Sequence, residues 1–305
     1  MIVGLDIKNK RMRCSHCQSE VIKKYYRLDR YNKVICETCY SKSRRCQVCS
    51  LPNKDMYLVD GLKVCMDCYS QKYRCRSCSK DLKKDKLHHI YGLQGFFCST
   101  CIHLLNHCDR CNFPAYSNDK LIEIDREIRL CESCLSTSIV DSEIAKKVLV
   151  NVSRILNKKM GLQMVKNLTL ELVNKRELMY HSDILLKPNN QSSAENLLGF
   201  TKRDGKNFYI YIQTGLSLST YISAVTHEYA RAWQLQYCSK QIGRVLWEGF
   251  AGWTATKMLW LLGYHEEIVK IESFGDHFSY GLKKIQVIEK SKGTHGVLEF
   301  MTQVK

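Results

Sequence analysis

The sequence predicts an α+β protein in two unlike parts: four repeats too small for cores of their own, then a mostly helical domain with a small sheet. Three observations carry that expectation. Sixteen of the 17 cysteines fall into eight Cys-x-x-Cys pairs with alternating gaps, and after Cys134 only Cys238 remains. The second half instead carries long apolar helical runs and two short strand-like segments.

The pairs are Cys14/Cys17, Cys36/Cys39, Cys46/Cys49, Cys65/Cys68, Cys75/Cys78, Cys98/Cys101, Cys108/Cys111 and Cys131/Cys134. Gaps of 18, 15, 19 and 19 residues alternate with gaps of six, which defines four repeats beginning at Cys14, Cys46, Cys75 and Cys108. Two residues between cysteines let one tight turn aim both sulfurs at a tetrahedral zinc, and a short hairpin returns the second pair to complete the sphere. Tyr57–Val64 reads as such a hairpin, turning at Asp60-Gly61. Each second pair follows an apolar residue (Ile35, Val64, Phe97, Leu130) and precedes another (Tyr40, Tyr69, Ile102, Leu135), which puts it at a strand end entering a helical turn. Repeats this small need metal for stability, on the order of 10 kcal/mol or more per site. Four thiolates leave no open coordination position, so four structural zincs are expected. Sequential pairing within each repeat is favoured over cross-bracing, although spacing alone permits both.

The fingers resemble LIM domains, whose double zinc fingers end in the style of Val64-Cys65-Met66-Asp67-Cys68-Tyr69. Treble-clef, LIM-like pairs would span 1–69 and 70–138, and the resemblance implies protein binding. The departure is a six-residue spacer between fingers, where a standard LIM domain has two.

Composition bounds the partners. The formal charge is +17, of which residues 1–138 carry +10 from 25 Lys and Arg against 15 Asp and Glu. A zinc held by four thiolates adds about −2, so four bring that half to about +2 and weaken the case for nucleic acid. No run of about 18 apolar residues is present, so no membrane span is expected. The N-terminus, apolar then basic, is the reverse of a secretory signal, and the cysteine usage fits a reducing, cytoplasmic setting.

In residues 139–305, Asp141 or Ser142 caps a helix with an Ile144, Val148, Val152, Ile155, Leu156 stripe that Gly161 closes. Leu168–Val173 and Phe208–Ile212 read as strands, and two helices follow at about 217–237 and 245–262. Tyr209–Ile212 reads either as a core strand or as an edge that an extended peptide could join. The first of these two helices contains Thr226-His227-Glu228-Tyr229-Ala230-Arg231. In H-E-x-x-H zinc peptidases the two His face one side of a helix and the Glu is general base. Here the second His position is Arg231, and Glu248-Gly249 sits where a third-ligand Glu would stand.

Four fingers followed by Thr226-His227-Glu228, Ala232-Trp233, Glu248-Gly249 and Phe274-Gly275-Asp276-His277-Phe278 resemble the plant organ-growth-controlling family of LIM-domain, ubiquitin-activated zinc peptidases. The resemblance implies a zincin-like domain over 139–305, with His227 and Glu248 as metal ligands and Glu228 as the base that activates water. The ubiquitin-interacting segments of the plant proteins are not evident, so that control is not carried over. Arg231 offers no lone pair to a metal. The remnant of His227 and Glu248 is therefore expected to hold a fifth, catalytic zinc far more weakly than three ligands would. Arg231 is expected to take roughly the metal's place and pair with Glu248, with Glu228 as a further partner. His181, His265, His277 and Cys238 are the paper candidates for a replacement ligand. The reading is a metallopeptidase scaffold with an impaired metal site that binds protein or peptide. Its rivals are an active zinc-dependent endopeptidase and a zinc-finger adaptor or nucleic-acid binder without catalysis.

Overall fold

The computed structural model describes residues 12–21, 25–28, 33–53, 55–90, 93–115, 121–125, 128–182, 197–238, 242–272 and 276–303. The chain divides into two compact units, one spanning Arg11–Thr137 and the other containing Ser138–Lys305.

In the first unit each repeat is built the same way. The residue after the first pair, Gln18, Ser50, Ser79 or Asn112, adopts a left-handed φ of 58–62°. That turn lets its N–H reach the carbonyl of the first cysteine at 2.8–2.9 Å in all four repeats. The residue after each first cysteine then donates to the segment that precedes the second pair: Ser15 to Val34, Gln47 to Lys63, Arg76 to Phe96, and Asp109 to Arg129. Antiparallel hairpins follow in three repeats, β1 (Tyr25–Leu28) with β2 (Lys33–Cys36), β5 (Tyr57–Val59) with β6 (Leu62–Val64), and β7 (Leu121–Asp125) with β8 (Ile128–Cys131). The Asp60-Gly61 turn has φ 46° and 81°, both left-handed, as a two-residue hairpin of this twist requires. Short β3 (Arg44–Arg45) and β4 (Pro52–Asn53) pair at the second repeat's entry. Each second Cys pair then opens a helix: α1 (Glu37–Lys42), α2 (Met66–Ser70), α3 (Ser99–Leu104) and α4 (Glu132–Leu135), with Cys36, Cys65, Cys98 and Cys131 at the N-caps.

The six-residue spacers do not keep the fingers apart. Fingers 2, 3 and 4 share one apolar cluster containing Val48, Val64, Leu82, Phe96, Phe97 and Leu130. Among the described residues of finger 1, Cys14 and Ile35 are the ones fully withdrawn from solvent.

In the second unit, β9 (Ser138–Ile139) leads into α5 (Ser142–Met160), whose cap is Asp141 accepting from the Ile144 N–H at 2.8 Å and whose end is Gly161 at φ 78°. β10 (Leu168–Val173), α6 (Lys175–His181), β11 (Gly199–Asp204), β12 (Asn207–Gln213) and β13 (Leu216–Ser217) follow. The sheet order is β10-β12-β11, with β10 parallel and β11 antiparallel to β12, and β13 pairs with β9. Tyr209–Ile212 is therefore the middle of the sheet and not an edge. Ile210 and Ile212 point into the core, and both sides of the strand are already paired.

Three further helices follow α7 (Leu218–Tyr237), namely α8 (Arg244–Leu262), α9 (His265–Glu272) and α10 (Asp276–Gln303). Gly293, with φ 68°, breaks α10 into two segments. α8 is buried along most of its length because it packs against both α7 and α10. That burial explains its all-round apolar sequence. Gly249 makes the approach to α10 possible, since a Cβ there would collide with the Gly281 backbone. The architecture is thus four modules, each with a four-cysteine cluster, and a helical region with small sheets, a mixed α/β chain.

Candidate metal centres and a His–Arg–Glu cluster

Four sulfur tetrads form within the repeats: Cys14, Cys17, Cys36, Cys39; Cys46, Cys49, Cys65, Cys68; Cys75, Cys78, Cys98, Cys101; and Cys108, Cys111, Cys131, Cys134. In each, all four sulfurs lie within 4.8 Å of one another. Sequential pairing is the arrangement found. The nearest measured cross-pair contacts are 3.9, 3.7, 3.8 and 3.7 Å. Zinc–sulfur bonds of about 2.3 Å in a tetrahedron put sulfurs about 3.8 Å apart, so the tetrads fit that ion. Disulfides, at about 2.05 Å, do not fit these separations. All 17 cysteines are unbridged.

The backbone prepares these sulfurs for negative charge. The Cys36, Cys98 and Cys131 N–H groups donate to Cys14, Cys75 and Cys108 at 3.3–3.4 Å, and Cys39, Cys49 and Cys101 donate to Cys36, Cys46 and Cys98 at 3.4 Å. Helix N-termini at the second pairs act in the same direction. Neighbouring thiols pull Cys46 and Cys108 far below the ordinary thiol range, while the same neighbours push Cys68 and Cys134 far above it. So crowded a set of sulfurs ionises together only around a cation, which is what a divalent metal supplies.

The second cluster lies in the C-terminal unit. His227 and Arg231, one turn apart, share a face of α7, and Glu248 rises from the first turns of α8. Arg231 Nη2 donates to both carboxylate oxygens of Glu248, at 2.5 and 2.6 Å, while Arg231 Nε donates to His227 Nε2 at 3.1 Å. His227 Nε2 is 3.5 Å from Glu248 Oε2. One guanidinium therefore bridges His227 and Glu248. Since guanidinium nitrogens only donate, His227 Nε2 is the acceptor in that contact and its lone pair is occupied. Burial opposes ionisation of Glu248, and the Arg231 guanidinium against both its oxygens favours the carboxylate, whose pKa is lowered to about 2. For Arg231, burial is likewise outweighed by Glu228 and Glu248, and the guanidinium stays firmly charged.

Comparison with family models, with curated proteins and with solved structures finds no match.

Glu228 stands apart from the cluster's direct contacts. Its side chain is 5% exposed, and the Thr201 hydroxyl on β11 lies 2.7 Å from Oε2 and 2.9 Å from the Glu228 carbonyl. Gly199 makes this seat, since a Cβ there would come within 2.9 Å of the Glu228 Cγ. Thr201 and Gly199 escaped sequence reasoning because the β11 segment GFTKRD lacks a clear alternation. Of the substitute ligands considered, His181 stacks on Tyr211 at 3.9 Å and His265 sits edge-on to Trp260. Cys238 caps α7, and burial pushes its thiol up to about 12. Phe274 and Gly275 lie outside the described residues, as do the side chains of Asp276, His277 and Phe278.

Proposed function

We propose that this chain is a cytoplasmic LIM-like zinc-finger protein whose C-terminal domain is a metallopeptidase-like scaffold with an impaired catalytic metal site, acting by binding protein or peptide. The observation that carries the reading is the Arg231 guanidinium lodged between His227 and Glu248. Hydrolysis by such a site needs a Lewis acid to polarise the carbonyl and lower the pKa of water. Arg231 takes up the His227 lone pair and both Glu248 oxygens, the donors that would hold such an ion. The half-buried pair also satisfies a carboxylate that would otherwise be stranded, which makes the exchanged site stable in itself.

The sheet supports the peptide-binding part of this reading. Among the described residues, no strand pairs with the outer edge of β11, and β11 lies directly over α7 through Thr201 and Glu228. An extended peptide would add there by main-chain hydrogen bonds.

The test is Arg231→His. Metal analysis of the starting protein should give about four zincs per chain, and the variant about five, with cleavage of an unstructured polypeptide such as casein. If the variant gains neither metal nor cleavage, the remnant-site reading is wrong.

A further inference from the structure

The four tetrads are not equivalent. The sulfur ligands of fingers 2 and 4 are all buried, and in finger 3 only Cys78 is partly accessible. In finger 1, Cys17 is exposed, Cys36 and Cys39 are half-buried, and Cys14 alone is buried. The cause is packing. Fingers 2–4 close over one another: the Gly95 N–H of finger 3 reaches Cys68 Sγ of finger 2 at 3.5 Å, the Ser77 hydroxyl donates to the Pro114 carbonyl of finger 4 at 2.6 Å, and Phe97 meets Phe113 edge-on. Their sulfurs sit inside one continuous apolar cluster. Finger 1 has a separate small core of Cys14 and Ile35 among the described residues, with Leu51 packed against both clusters, and Tyr26 stacks on Tyr40, over which Arg45 lies.

A zinc leaves a four-cysteine site when a ligand is displaced by an incoming donor, which requires access to a sulfur or a local opening of the fold. We infer that finger 1 is an exchangeable zinc site, able to hand its metal to a competing ligand, while fingers 2–4 hold theirs as a single cooperative block. The exchange balances without redox change: each zinc–sulfur bond lost is replaced by a zinc bond to the acceptor's donor atoms, and the freed thiolates take protons from solvent. Cys17, where competing ligands arrive, is the first sulfur displaced.

The full zinc-loaded chain is mixed with excess 4-(2-pyridylazo)resorcinol, and zinc transfer is followed by absorbance. One zinc in four should transfer at least about ten-fold faster than the other three, since access and local opening separate the sites. Cys17→Ser should abolish that fast phase and leave three slow zincs. Gly95→Ala is the second variant. Gly95 has φ 87°, and a Cβ would stand 3.0 Å from Gln71 Oε1, so the substitution should spoil the bond to Cys68, loosen the block as a whole and raise the fast phase from one zinc toward four. Four zincs leaving at one rate would overturn the inference, as would a fast phase that survives Cys17→Ser or one that Gly95→Ala leaves at a single zinc.

Discussion

Replacing Arg231 with Met keeps most of the stem and removes the charge between His227 and Glu248. The carboxyl of Glu248 lies at about 2, against an ordinary 4.5. At about 1.4 kcal/mol per pH unit that depression corresponds to about 3 kcal/mol favouring the ionised, folded state. The side chain is 24% exposed, and His227 shares the effect, so the part removed with Arg231 is about 2 kcal/mol. The sign follows from the depressed value: this stability is present above pH 4.5 and is lost as pH falls toward 2. All four tryptophans, Trp233, Trp247, Trp253 and Trp260, lie in the C-terminal unit, so urea titration followed by tryptophan fluorescence reports that unit alone. At pH 7 Arg231→Met should cost about 2 kcal/mol and flatten the loss of stability between about pH 4.5 and 3. Glu248→Gln should cost a similar amount by stranding the guanidinium, and the double variant should cost less than the sum by about 2 kcal/mol. A coupling below about 0.5 kcal/mol, with the acid slope intact in Arg231→Met, would refute a structural ion pair at this position.

Thr201→Val should lower the urea stability of the same unit by about 1–3 kcal/mol, because the buried Glu228 carboxylate loses its hydroxyl donor. Gly249→Ala should cost about 3 kcal/mol by forcing α8 off Gly281, whereas Gly243→Ala, with open space around the new methyl, should stay within about 1 kcal/mol by thermal melting.

The sequence by itself determined what is periodic or local. Cysteine spacing fixed the eight pairs and the four repeats and favoured sequential ligand sets, and the folded positions of the sulfurs then chose sequential pairing over cross-bracing. Asp60-Gly61, Asp141 and Gly161 announced a turn, a helix start and a helix stop through backbone preferences that need no partner. Arg231 at the fourth position after His227 was visible for the same reason, since a helical turn brings those two side chains together wherever the helix sits. Tertiary structure decided the rest. Nothing local says that β12 is the central strand, that Thr201 and Gly199 seat Glu228, or that Gly249 meets Gly281. Each of these is a contact between segments whose separation along the chain carries no signal of its own. The same holds for the fingers. Four nearly identical spacings describe four equal sites, and only the packing of fingers 2–4 around shared aromatic rings makes the exposed sulfur of Cys17 different from the rest.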